Sequence, residues 1–182
     1  MNKFCIDLNL DIPVLIDPID EDQIKNIGSK IVHKKVSVDT INPELIKLFT
    51  SKGLLLTFVE SFHLSKNSYL PIHEDGYNYT DVLKMNWVFG GKDSTMNWYE
   101  PTKEPVWKKT VIGVDYKSYD TDNVRLIHSQ VVGRPSLVQV GIPHNSTTVD
   151  ERLCISIVPL HIDDGSFVTF QQGIDLFTDY IK

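Results

Sequence analysis

Four residues of this chain combine chemical types and spacings that could build a reactive centre: His73, Asp75, His144 and Arg152. His73 and Asp75 are two apart at the end of an apolar segment, LPIHED, so on a strand their side chains share one face. His144 closes a second apolar segment, SLVQVGIPH, 71 residues later. Two imidazoles and one carboxylate can take one face of an octahedral metal and leave the opposite face open to other ligands. Arg152 follows His144 by eight residues, set in ERLCISIV. A guanidinium among Leu153, Ile155 and Ile157 is costly to bury without an anion, and its planar fork suits a carboxylate. The neighbouring Asp150 and Glu151 offer an alternative pairing, although Glu151 alternates to the opposite face.

Those residues must be carried by some framework, and the composition narrows it. The chain has 182 residues, 41% of them hydrophobic, which suits one domain with a substantial core. Acidic groups exceed basic ones by six, and the eighteen basic residues divide into fifteen lysines and three arginines. Without a basic block, a nucleic-acid backbone is a disfavoured partner. Cys5 and Cys154 are too few for a disulfide framework or a cysteine-based zinc site, which fits a reducing cytoplasm. The first twenty residues are broken by aspartates and prolines and make neither a signal peptide nor a membrane span.

Residues 20–28 suit a short helix ending at Gly28. A helix over about 43–52 is expected from Asn42 as cap, Pro43 in the first turn, apolar residues at helical spacing and Gly53 beyond the end. From residue 54 the pattern changes to strands: LLLTFVESFHL, YLPIH, VLKMNWVF, TMNWYE, VIGVDYKSY, VRLIHSQVV, SLVQVGI and ERLCISIVPL. Short strands in succession without intervening helices favour an antiparallel sandwich, jelly roll or barrel. The segment SFVTFQQGIDLFTDYIK reads as a C-terminal helix opened by Ser166, with Gly173 working against it.

The ordered set LPIHEDG, KMNWVFGGKDSTMNWYEP and VQVGIPHNSTTVDERLCISI resembles the Fe(II)- and 2-oxoglutarate-dependent oxygenases, in particular the small members found in bacteria and encoded by bacteriophages. The resemblance covers about residues 54–160 of a single domain spanning 1–182 and implies a double-stranded β-helix, or jelly-roll, core; the helices read at both ends lie outside it and are expected to flank that core. It implies that His73, Asp75 and His144 ligate Fe(II) and that Arg152 pairs with the distal carboxylate of 2-oxoglutarate. Asn86 and Lys84 would lie beside the co-substrate. The position two after the arginine, where many members place a serine, is Cys154; Ser156 comes four after and could assist instead. The implied activity consumes O₂ and 2-oxoglutarate, releases succinate and CO₂, and hydroxylates a C–H bond of an amino acid, small metabolite or protein side chain. Asp75 argues against the halogenating variant, which typically lacks that carboxylate.

Plainer readings accompany these. Glu74 alternates away from His73 and Asp75 and is expected to face solvent. His63 and His128 are expected to be hydrogen-bonded core or pocket histidines rather than ligands. Trp98 and Tyr99 are expected in the core or rim, bordering the substrate mouth, and Cys154 as a small buried hydrophobe. Two competing functions keep the same fold: a non-catalytic binding or viral structural module, and a cupin-type metal enzyme that uses no keto acid, which a further histidine on the metal would favour.

Overall fold

The strand-rich half of the chain owes its layers to alternation. In Arg152–His161 the residues Leu153, Ile155 and Ile157 face one way, and Arg152, Cys154 and Ser156 face the other. The structure is a computed structural model and describes residues 4–19, 24, 31–75, 81–132 and 135–181. Its strands are β1 (Cys5–Asp7), β2 (Ile31–Lys35), β3 (Leu54–Leu64), β4 (Ser68–Tyr69), β5 (Ile72–Asp75), β6 (Leu83–Gly90), β7 (Thr95–Pro101), β8 (Val106–Lys109), β9 (Asp115–Tyr119), β10 (Val124–Val131), β11 (Ser136–Gln139), β12 (His144–Thr148) and β13 (Arg152–His161). The α-helices are α1 (Pro43–Ser51) and α2 (Phe170–Leu176).

All paired strands run antiparallel, in two sheets ordered β1-β11-β6-β13-β3-β2 and β10-β7-β12-β5-β9-β8, with β4 added beside β12. Eight of them, β3, β5, β6, β7, β10, β11, β12 and β13, form the roll. Its eighth strand lies between the first and third, and its seventh between the second and fourth. This is the double-stranded β-helix, with α1 and α2 as flanking helices.

The larger apolar cluster lies outside the roll. Leu83, Met85 and Trp87 of β6 and Ile155 and Ile157 of β13 pack with Leu45 and Phe49 of α1 and with Phe170 and Phe177. Burying this face against helices anchors the first sheet from behind, so its inner face can carry polar groups. A smaller cluster, including Met96, Trp98, Val138 and Val140, fills one end between the sheets. The rest of the interior holds buried Glu60, Lys84, Asn86, Arg152 and Ser156.

Local signals place the helices. Asn42 accepts from the Glu44 N–H at 2.9 Å and Pro43 opens α1. α2 is capped by Thr169, in a reciprocal box with Gln172, rather than by Ser166, and so starts later than the sequence suggests. Gly173 has a packing reason: a Cβ there would meet Leu83 Cδ2 at 2.5 Å, so the glycine lets α2 lie close against β6. The helix expected over 20–28 falls outside the described residues except for Ile24.

Three strand readings change. YLPIH divides into β4 and β5 around Leu70–Pro71, and only Asp115–Tyr119 of VIGVDYKSY is strand. His144 does not end the SLVQVGI strand; that strand stops at Gln139, and His144 opens the separate strand β12. The short strands β1, β2 and β8 carry too little alternation to be read from sequence.

Candidate metal centre

Strand pairing brings the two histidines together. β5 and β12 are neighbours with His73 and His144 directly opposite, and their ring centroids are 4.5 Å apart. Asp75 lies on the same face of β5, with Oδ1 3.8 Å from His73 Nε2. One ligand atom from each of His73, Asp75 and His144 lies within 4.8 Å of the other two.

The backbone sets the state of both rings. His73 Nδ1 is 2.8 Å from the Pro71 carbonyl oxygen, and His144 Nδ1 is 2.9 Å from that of Ile142. A carbonyl only accepts, so each Nδ1 carries the proton and each Nε2 is left as a lone-pair donor. Burial, followed by the nearby His73, pushes the His144 pKa down to about 3, so this ring is neutral at physiological pH. Burial alone would raise the Asp75 pKa, but Lys84 and then His144 and His73 outweigh it and hold the carboxyl below its ordinary range. Two imidazole Nε2 atoms and an ionised carboxylate suit Fe(II), Mn(II) or Co(II), ions that accept mixed nitrogen and oxygen donors and retain open positions.

A buried charge chain backs the carboxylate. Lys84 Nζ is 2.9 Å from Asp75 Oδ2 and 3.0 Å from Glu60 Oε2, and His33 Nε2 is 2.7 Å from Glu60 Oε1. Burial works to raise the Glu60 pKa, but Lys84 and the His33 hydrogen bond bring it below the ordinary value. Glu60 and His33 were not among the sequence candidates. A charge in the middle of the apolar segment LLLTFVESFHL was the available signal for Glu60; IVHKK carries none for His33.

These groups line a cavity of ≈ 340 Å³. Its floor includes His73, Asp75, Lys84 and Glu60, and its walls include Phe62, Leu70, Val111, Val114 and Tyr116. The last three come from the β8–β9 hairpin. That hairpin is inserted between β7 and β10 in sequence but pairs beyond β5, so it forms one side of the mouth.

Arg152 is 2% exposed and opens β13 on the face that also carries Cys154 and Ser156. Its guanidinium lies beside the Cys154 thiol, and its Nε is buried without a hydrogen-bond partner. Neither neighbouring acid takes it: Glu151 approaches His63 at 3.2 Å and Asp150 approaches Lys66 at 3.9 Å. No carboxylate pairs with Arg152 among the described residues. The stem is covered by the Gly90–Gly91 turn; a Cβ on Gly91 would sit 2.8 Å from Arg152 Cβ. Arg152 is not part of the cavity wall, and Lys84 is the cation beside the histidines and Asp75. Asn86 and Ser156 lie on the same inner face, where the Ser156 hydroxyl donates to Asn86 Oδ1 at 2.7 Å.

The other candidates lie elsewhere. His63 alternates with Phe62 and Leu64 to the outer side of β3 and lines a separate recess with Leu153 and Ile155, so it is no pocket residue of this centre. Trp98 is fully buried between the sheets. Its indole donates to the Gln139 carbonyl at 2.9 Å, and its ring stacks on Phe4, so it does not border the mouth. Tyr99 faces outward and donates to Asn145 Oδ1 at 3.2 Å, also away from the mouth. His128 packs against Trp98 with ring centroids 5.6 Å apart. Glu74 points away from the centre as expected but is buried rather than solvent-facing, held by Lys117 at 2.7 Å and by the Tyr119 hydroxyl.

Among the described residues, no helix is long and apolar enough to cross a membrane. No protein-family model and no curated protein sequence matches the chain. Solved structures similar to it include Escherichia coli ycfD, with a TM-score of 0.46 and 11% identity over 85% of this chain and 49% of that one. A 2OG-Fe(II) oxygenase-family oxidoreductase from Burkholderia pseudomallei has a TM-score of 0.44 and 12% identity over 80% of this chain and 78% of that one. A recombinant oxalate oxidase in complex with glycolate has a TM-score of 0.39 and 12% identity; 86% of this chain is covered, but only 61% of the oxidase.

Proposed function

We propose that the chain is a non-haem Fe(II)- and 2-oxoglutarate-dependent oxygenase that hydroxylates a C–H bond, with His73, Asp75 and His144 holding the metal. The observation that carries this reading is Arg152, a buried guanidinium on the roll's inner face with an orphaned Nε and no carboxylate partner among the described residues. Leaving such a charge uncompensated is strongly unfavourable, which argues for an anion that arrives with a ligand. Charge balance supports the same reading. Asp75 and Glu60 both lie on Lys84 and neither reaches Arg152, and over the four groups the formal charges sum to zero, so a divalent metal brings an excess that a dianionic co-substrate neutralises.

When bound, iron and the keto acid supply oxidising chemistry in which O₂ and 2-oxoglutarate give succinate, CO₂ and a hydroxylated substrate. His73 and His144 contribute Nε2 donors, their rings fixed by their carbonyl partners. Arg152 pairs with the distal carboxylate. Phe62, Leu70, Val111 and Tyr116 form an apolar approach that excludes water and guides an amino acid, small metabolite or protein side chain to the centre.

Anaerobic addition of Fe(II) and then 2-oxoglutarate tests this by visible absorption. The expected result is a metal-to-ligand charge-transfer band that needs both components, and folded protein that binds Fe(II) without producing the band would overturn the co-substrate assignment. A second reading, a cupin-type metal enzyme that uses no keto acid, is favoured by the absence of Arg152 from the cavity wall. That reading predicts Fe(II) binding with a spectrum indifferent to 2-oxoglutarate.

A further inference from the structure

Resting on the metal-site reading above, we propose that Lys84 and Glu60 are a positioning pair that restricts Asp75 to one-oxygen coordination and so keeps open the metal positions a chelating co-substrate and O₂ require.

The two oxygens of Asp75 are already divided. Oδ1 faces His73 Nε2 at 3.8 Å, whereas Oδ2 is 2.9 Å from Lys84 Nζ. An octahedral metal held by two imidazoles and one carboxylate oxygen has three positions left. A bidentate keto acid uses two and O₂ uses the third. If Asp75 also used Oδ2, only two would remain and the complex could not be completed.

Lys84 is suited to prevent this because it has little freedom. It is 5% exposed, its ammonium lies 5.6 Å from the Phe62 ring centroid, and Glu60 Oε2 holds it from the other side at 3.0 Å. Glu60 is fixed in turn by His33 at 2.7 Å, and the His33 ring stacks on Phe62 with centroids 4.3 Å apart. Two carboxylates on one buried ammonium also make Lys84 a poor site for a third. Lys84 and Glu60 act through Asp75 and are positioning residues, not catalytic ones.

Co(II) is the probe, because its visible spectrum reports the set of ligands on the metal and its binding can be read without turnover. The test compares the wild type with K84M/E60Q, in which both charges are removed together and a similar volume is kept. The double variant is expected to bind Co(II) with a spectrum altered from that of wild type, because the second Asp75 oxygen replaces a water on the metal, and to bind 2-oxoglutarate about 10–100-fold more weakly, the range typical of lost outer-shell partners. Conservative K84R should restore both properties.

A K84M/E60Q protein with the wild-type Co(II) spectrum and wild-type 2-oxoglutarate affinity would overturn the proposal. Should circular dichroism show the double variant unfolded, E60Q alone decides. It frees Lys84 from its second anchor and should shift both readouts in the same direction; wild-type values there would also overturn the pair's role. Co(II) binding by wild type without any 2-oxoglutarate response would reject the co-substrate but still leave the Co(II) spectra to decide the role of Lys84. No Co(II) uptake by wild type would reject the metal site and this inference together.

Discussion

His73 and His144 stand opposite each other on adjacent strands, and each donates its Nδ1 proton to the carbonyl two residues behind it. The repetition makes one backbone device responsible for both rings: short local hydrogen bonds select the tautomer, and the β5–β12 register supplies the separation. Asp75 joins them through the two-residue strand period, and Lys84 holds its far oxygen.

Removing a ligand should remove the metal. Asp75→Ala and His144→Ala are each expected to abolish stoichiometric Fe(II) or Co(II) binding in calorimetric titrations, while a folded Trp98→Phe protein retains it because Trp98 lies outside the cluster. Full binding by the Asp75 variant would show that the carboxylate is not a ligand.

Arg152→Ala should leave metal affinity largely intact and weaken 2-oxoglutarate binding by about 2–5 kcal/mol, the usual cost of truncating one partner of a buried charge pair. A keto-acid titration of the metal-loaded protein measures it. Unchanged affinity would move the anion away from Arg152.

Gly173→Ala should destabilise the fold by about 1–3 kcal/mol, the typical result of overpacking, although alanine is the better helix former. The added Cβ would press on Leu83, next to Lys84 on β6, so α2 or the strand must shift. Urea denaturation gives the magnitude; a stabilised variant would show that the interface relaxes without cost.

Acid should destabilise the metal-free protein before its carboxylates titrate. His144 is depressed from 6.5 to about 3. Between these values the unfolded chain binds a proton that the folded chain does not, so stability falls as pH drops, by about 1.4 kcal/mol per pH unit for this group. Asp75 and Glu60, both lowered, contribute stability that is present above their unfolded values and is lost at still lower pH. Chelator-treated protein unfolded at pH 7, 6 and 5 should show the first slope, and His144→Gln should flatten it. An unchanged slope in the variant would assign it to another group.

Much of the scaffold was legible because its causes are local. Asn42–Pro43 starts α1 through capping and a missing N–H, and β3 spans the apolar run Leu54–Leu64. The same period places His73 and Asp75 on one face without knowledge of the fold. Where a signal depended on partners, it misled: Ser166 looked like a helix cap, but Thr169 has the reciprocal partner Gln172, and Trp98 and Tyr99, read as core or rim aromatics, do not border the substrate mouth, since Trp98 is core and Tyr99 faces outward.

The amino-acid sequence by itself determined the donor types, the shared face of His73 and Asp75, and the presence of a guanidinium in an apolar strand. Tertiary structure alone decided that β5 neighbours β12, so that His144 meets His73, and that Lys84 rather than Arg152 reaches Asp75. It also decided that Glu60 and His33 brace Lys84 and that His63 turns to the opposite side of the sheet. The physical reason is that side-chain periodicity reports which face a residue takes, whereas strand order and register arise from pairings between distant segments, and those pairings decide which faces meet.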